Sequence, residues 1–176
     1  MTIKYFMFNT SGAGSQWNIS AGNGVDVAAG VTVGSTDSFA ITGTGADIGV
    51  NINGALYGET GGLALLNTAN SVVRIGEQGE ISGNVSGGSA LTLTDSGGTI
   101  ENRGLLTGDS TVDVFNTSGT QFTNFGTIIA SEHGVELESG SSGTFSLFNL
   151  ADWTLQTSAR HSDQSTTLRA RQRTPS

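Results

Sequence analysis

Apolar residues along this chain recur at alternate positions in short bursts, separated by Gly, Ser, Asn and Thr. Alternation of this kind marks strands with one buried face. No window carries the i, i+3, i+4, i+7 spacing of an amphipathic helix, and no apolar run is long enough to cross a membrane as a helix. The bursts are not independent of one another. "IENRGLLTG" at 100–108 aligns on its central Gly with VDVAAGVTV (25–33), VNINGALYG (50–58), IGEQGEISG (75–83), FTNFGTIIA (122–130) and LFNLADWTL (147–155). The central small residues are Ala29, Gly54, Gly79, Gly104, Gly126 and Ala151, at intervals of 25, 25, 25, 22 and 25.

Two columns of this alignment are apolar throughout. One holds Val25, Val50, Ile75, Ile100, Phe122 and Leu147; the other holds Val31, Leu56, Ile81, Leu106, Ile128 and Trp153. Between them runs a column of Val27, Ile52, Glu77, Asn102, Asn124 and Asn149. A second apolar element precedes each centre: FAI at 39–41, LALL at 63–66, ALTL at 90–93, VDVF at 112–115 and VELE at 135–138, with Trp17 and Ile19 supplying the first row. A unit of about 25 residues with two or more short strands is too small for a propeller blade but fits one turn of a β-solenoid. The expected fold is therefore all-β, a single-stranded parallel β-helix of about six rungs. It would occupy residues 1–156 and form a rod roughly 30 Å long at the strand spacing of a sheet. Inward columns would stack into one core that no rung can bury alone. Gly54, Gly79, Gly104 and Gly126 are expected to serve corners needing positive φ or close backbone approach. Asn102, Asn124 and Asn149 are expected to form a side-chain amide ladder, interrupted on the N-terminal side by Glu77 and Ile52.

Composition narrows the function classes. There is no cysteine, so disulfides and thiolate chemistry are excluded. Residues 1–156 carry 14 acidic and 3 basic residues, a net of −11, which disfavours nucleic acid and anionic membranes. The tail 157–176 carries Arg160, Arg169, Arg171 and Arg173 against Asp163, lacks Gly, and reads as a disordered terminus. The opening MTIKYFMFNTSGAG is too short an apolar segment for a secretory signal.

"ALTLTDSGGTIENRGLLTG" (90–108) and "VDVFNTSGTQFTNFGTIIA" (112–130) resemble the repeats of large secreted bacterial proteins, the autotransporter-like and hemolysin-type (RTX-associated) β-solenoid adhesins. The resemblance implies a right-handed solenoid and a secreted or cell-surface location. It further implies a non-catalytic structural or adhesive role toward a polysaccharide or host surface, with no cofactor. The calcium-binding RTX nonapeptide is absent; "GTGADI" at 43–48 keeps only Asp47 of it, and a calcium-stabilised RTX-type fragment stays as an alternative reading.

Chemistry-bearing residues are sparse. Glu77, Glu80, Glu101, Arg74 and Arg103 are the candidates for a carbohydrate-active face, and the alignment stacks Gln78 on Arg103 and Gly76 on Glu101, with no two carboxylates in register. Glycosidases need a carboxylate pair at defined separation. His133 lies among Glu132, Glu136 and Glu138, a set that could hold a divalent cation or simply be a solvated turn. No Ser-His-Asp arrangement or phosphate-binding loop is visible. Late rungs place Leu105, Phe125, Ile129, Phe148 and Leu150 where early rungs are polar. That strip marks either an interface, self-association included, or a surface that a longer turn or the tail covers. The end rungs, with unpaired backbone, are a second route to self-association.

Overall fold

In the computed structural model the described residues are 2–84, 86–138, 143–151 and 167–172. They contain strands and turns but no helix, and every strand pairing is parallel. The chain winds as a β-solenoid of six complete turns, each visiting three faces in the same order. Face A stacks Ile3–Phe6, Gly24–Val27, Gly49–Ile52, Ser71–Ile75 and Gly98–Asn102, then the end of Leu105–Asn124, and then Gly143–Asn149 and Thr167–Gln172. Face B stacks Thr10–Gly12, Thr32–Ser35, Ala55–Gly58, Glu80–Gly83 and the first residues of Leu105–Asn124 and Thr127–Leu137. Face C carries the second apolar element: Trp17–Ile19, Phe39–Ala46, Gly61–Ala69 and Ser89–Ser96, followed by the segments around Val112 and Val135.

The alternating pattern explains the core. Val25, Val50, Val73, Ile100, Phe122 and Leu147 stack inward from face A, and Val33, Leu56, Ile81, Leu106 and Ile128 from face B. Face C adds Ile41, Leu63, Leu91, Val112 and Val135. The inward positions make one continuous cluster running the length of the rod.

The structure corrects the expected register in two rungs. Ile75, not Glu77, pairs with Asn102, and Val73, not Ile75, pairs with Ile100. Likewise Val33, not Val31, pairs with Leu56. In both rungs the corner between faces A and B is two residues longer than elsewhere. Each extra loop closes as a β-turn, with Val31 N–H donating to Ala28 O and Gly79 N–H to Gly76 O, 3.1 and 2.8 Å. The insertion bulges outward, so both inward columns stay in line although the sequence spacing does not. Consequently Arg74 lies beside Glu101, while Gln78 sits in the outer turn and not over Arg103.

A rung also precedes the first one expected. Ile3–Phe6 and Thr10–Gly12 pair with the next turn, and Asn9 Oδ1 accepts the Thr32 N–H at 2.9 Å at a corner without glycine. Lys4 pairs in register with inward-facing Val25, and its ammonium stands 5.5 Å from the Phe6 ring and 5.3 Å from the Trp17 ring.

The corner glycines do their work without left-handed geometry. None of Gly54, Gly79, Gly104 and Gly126 has positive φ. Their Cβ position is filled by backbone of the neighbouring rung: a Cβ on Gly104 would lie 2.0 Å from Gly79 O, and one on Gly126 2.2 Å from Gly104 O. Positive φ falls instead on other glycines, Gly30 in the outer turn among them, and on Asp47, Asn67, Asn70, Asp95 and Asn116, short polar residues that tolerate it.

Of the tail, only the backbone of Thr167–Gln172 is described, as a strand paired with Gly143–Asn149. Trp153 and the boundary at 156–157 lie outside the described residues, as does most of the basic segment. Among the described residues no helix is long and apolar enough to cross a membrane.

Candidate functional site

Three features of the rod bring chemistry-bearing side chains together. The first is internal. Asn102 Nδ2 donates to Asn124 Oδ1 at 2.7 Å, and Asn124 Nδ2 donates to Asn149 Oδ1 at 3.0 Å and to Gly126 O at 3.1 Å. Asn102 Oδ1 accepts the Gly104 N–H at 3.1 Å. All three amides are buried. They sit in the column that earlier rungs fill with Val27, Ile52 and Ile75, so the ladder starts where an aliphatic column ends.

The second is an acidic cluster on the outer side of face C. Register pairs Asp113 with Glu136, and the Glu138 N–H donates to Val114 O, which brings Glu138 alongside. Carboxylate oxygens of the three lie within 4.8 Å of one another, the one such group of three among the described residues. Ser110 donates to Glu136, and His133 Nδ1 lies 3.3 Å from Glu136 Oε2 and 3.4 Å from Ser110 Oγ. Glu132 is exposed and stands outside this cluster, and Asp113, from the preceding rung, takes part instead. The signal was present in the stacking of VDVF on VELE, which aligns Asp113 with Glu136. The meeting of Ser110 with His133 was hidden by a bulge between Gly108 and Ser110.

Burial, with Glu138 and then Glu136 nearby, pushes the Asp113 carboxyl up from the usual 3.8 to about 6; a hydrogen bond from Val114 N–H opposes this. One of its oxygens is buried without a partner among the described residues. Oxygen donors in this arrangement suit a hard cation such as calcium, or they share protons. They do not form a serine–histidine–acid relay. That relay needs serine on one imidazole nitrogen and the acid on the other; here both face Nδ1.

The sign of the pH effect follows from the raised carboxyl. Between the usual value and about 6 the folded chain holds a proton that the unfolded chain has lost. Stability therefore falls as pH rises through that window and levels off above it. Asp113→Asn is expected to raise stability at pH 7 by about 1 kcal/mol, a figure reduced for the side chain's partial exposure. The gain should vanish below pH 4, which paired urea titrations at several pH values would read.

The third feature is the apolar strip. Phe125 and Leu150 stack at the corner between faces A and B, both exposed, and the Arg103 guanidinium lies 4.5 Å from the Phe125 ring. Ile129 and Leu105 are on face B and Phe148 is on face A. The first rung adds exposed Tyr5, Met7 and Phe8. Of the carbohydrate-face candidates, Glu101 pairs with Arg103 at 2.5 Å and neighbours Arg74, Glu80 neighbours Leu105, and Glu77 lies in the outer turn. Asp47 of the calcium-motif fragment is exposed at a corner and accepts a hydrogen bond from Asn70.

No protein family, curated protein or solved structure matches this chain.

Proposed function

We propose that this chain is a non-catalytic, structural or adhesive β-solenoid segment of a secreted or cell-surface bacterial repeat protein, a rod that spaces or displays a binding surface. One observation carries the reading. The positions that repeat from rung to rung are the buried ones and the corners, whereas the outward column through Tyr5 changes at every step. The column Tyr5, Asp26, Asn51, Arg74, Glu101, Thr123 and Phe148 contains seven different residues on seven successive strands. Repetition confined to stacking positions serves assembly of the rod and leaves its surface free to differ. The resemblance of about residues 20–155 to adhesin repeats supports the location, and the acidic body suits a chain that must not adhere to anionic membrane.

Antibodies against the solenoid, applied to intact producing cells and to their medium, test this reading. Labelling of the cell exterior or recovery from the medium is expected. Confinement to the cytoplasm would overturn it.

A further inference from the structure

The outer side of face A is hollow. A depression of about 390 Å³ is lined by Ile3, Asp26, Asp47, Asn51, Asn70 and Arg74 over a floor that includes Gly49 and Val72. A second, of about 360 Å³, shares Asn70 and Val72 with it and continues past Gly98 and Thr99 to Gln121. Register links Ile3, Gly24, Gly49, Val72, Thr99 and Gln121 on six successive strands. Five steps at the strand spacing make a trough about 24 Å long, parallel to the rod axis. The hollow comes from Gly24 and Gly49 in this column, where Asp26, Asn51 and Arg74 stand on one side and Asp47 and Asn70 on the other.

Those side chains form two ridges tied across rungs. On one side Asn51 Nδ2 donates to Asp26 Oδ2 at 2.6 Å; on the other Asn70 Nδ2 donates to Asp47 Oδ1 at 3.4 Å. Each ridge thus holds carboxylate and amide groups in fixed positions, with further donor and acceptor capacity facing outward. Between them lies a narrow apolar floor. Arg74, exposed, adds donors to a site whose formal charge is otherwise negative.

The class of occupant follows by elimination and fit. The floor's backbone groups are engaged in the parallel ladder, so no free edge is offered to a peptide strand. Asp26 and Asp47 repel polyanions, nucleic acid included. A chain with apolar ring faces and hydroxyl edges matches both the floor and the ridges. We infer that the face A trough binds a single linear, uncharged polysaccharide chain lying along the rod. This inference rests on the display reading, whose own test concerns location and not binding.

Backbone amide shifts of the full chain, titrated with cellohexaose, xylohexaose and maltohexaose, test it, with an oligogalacturonate of equal length as the charged comparison. At least one neutral probe should shift the amides of Gly49, Asn51, Val72 and Thr99 saturably. The double variant Asp26→Ala, Asn51→Ala should bind about tenfold more weakly, the effect of losing roughly one net hydrogen bond to a charged group. Thr107→Ala, on face B, should bind as the parent does. Failure of all three neutral probes to saturate at millimolar concentration would overturn the inference, as would shifts centred on faces B or C, or binding of the oligogalacturonate alone. A surface-located chain that binds none of the neutral probes would retain the display reading and lose only this one.

Discussion

Gly104→Ala is expected to lower the stability of the rod by about 3 kcal/mol or more, through overpacking against backbone. For a chain of this size that is a fall in melting temperature of roughly 6–12 °C. The added methyl would lie 2.0 Å from Gly79 O and 2.5 Å from Gly76 O. Neither oxygen can withdraw, because Leu105 N–H already donates to Gly79 O at 2.9 Å and Gly79 N–H to Gly76 O at 2.8 Å, so moving them would disturb two rungs. Gly30→Ala is the comparison. That glycine has φ of +74° but open space around it, so its replacement carries only the strain of left-handed geometry, about 1 kcal/mol. Thermal melts of the two variants separate crowding from backbone conformation as the reason for glycine.

The Asn ladder predicts a second large effect with an unusual pattern. Asn124→Ala removes three hydrogen bonds and leaves Asn102 Nδ2, Asn149 Oδ1 and Gly126 O without them in a buried column. With a desolvation cost of about 1–3 kcal/mol per abandoned group, partly relieved by relaxation, a loss of about 4 kcal/mol is expected. Replacing Asn102, Asn124 and Asn149 together by Ile should cost less than that single change. The same column already accommodates Val27, Ile52 and Ile75, and removing every partner leaves few polar groups stranded. Urea unfolding of the single and triple variants would show the non-additivity. A triple variant less stable than the single one would mean that the ladder contributes a net stabilisation that aliphatic packing does not replace.

Much of this architecture was readable because a solenoid writes its core into a fixed interval. Val50 and Ile100, or Leu56 and Leu106, sit where a count of 25 puts them, since each rung must return its apolar residues to the same azimuth. The count fails where a corner absorbs extra residues outward, as at Ala28–Val31 and Gly76–Gly79, because stacking constrains inward positions and not loop length. It fails again at the first corner, where Asn9 stands in for glycine. The acidic cluster was only half legible. His133, Glu136 and Glu138 are neighbours in sequence, but Asp113 and Ser110 arrive from the rung below, and the bulge after Gly108 shifts the register by one residue. The trough on face A left no local mark, because its ridges combine residues 23 and 25 positions apart.

We propose that side-chain stacking in the inward columns holds the rod together without a bound ion. Thermal unfolding of the intact chain by circular dichroism, in calcium and in chelator, with light scattering for mass, tests it most directly. A β-rich spectrum and the same melting temperature in both conditions are expected. An ion held at the Asp113, Glu136 and Glu138 cluster would, at a hundredfold excess over its dissociation constant, stabilise the fold by about 2.7 kcal/mol. A rise of about 5 °C or more in calcium, the least such binding would give, would contradict the account and make those carboxylates ligands.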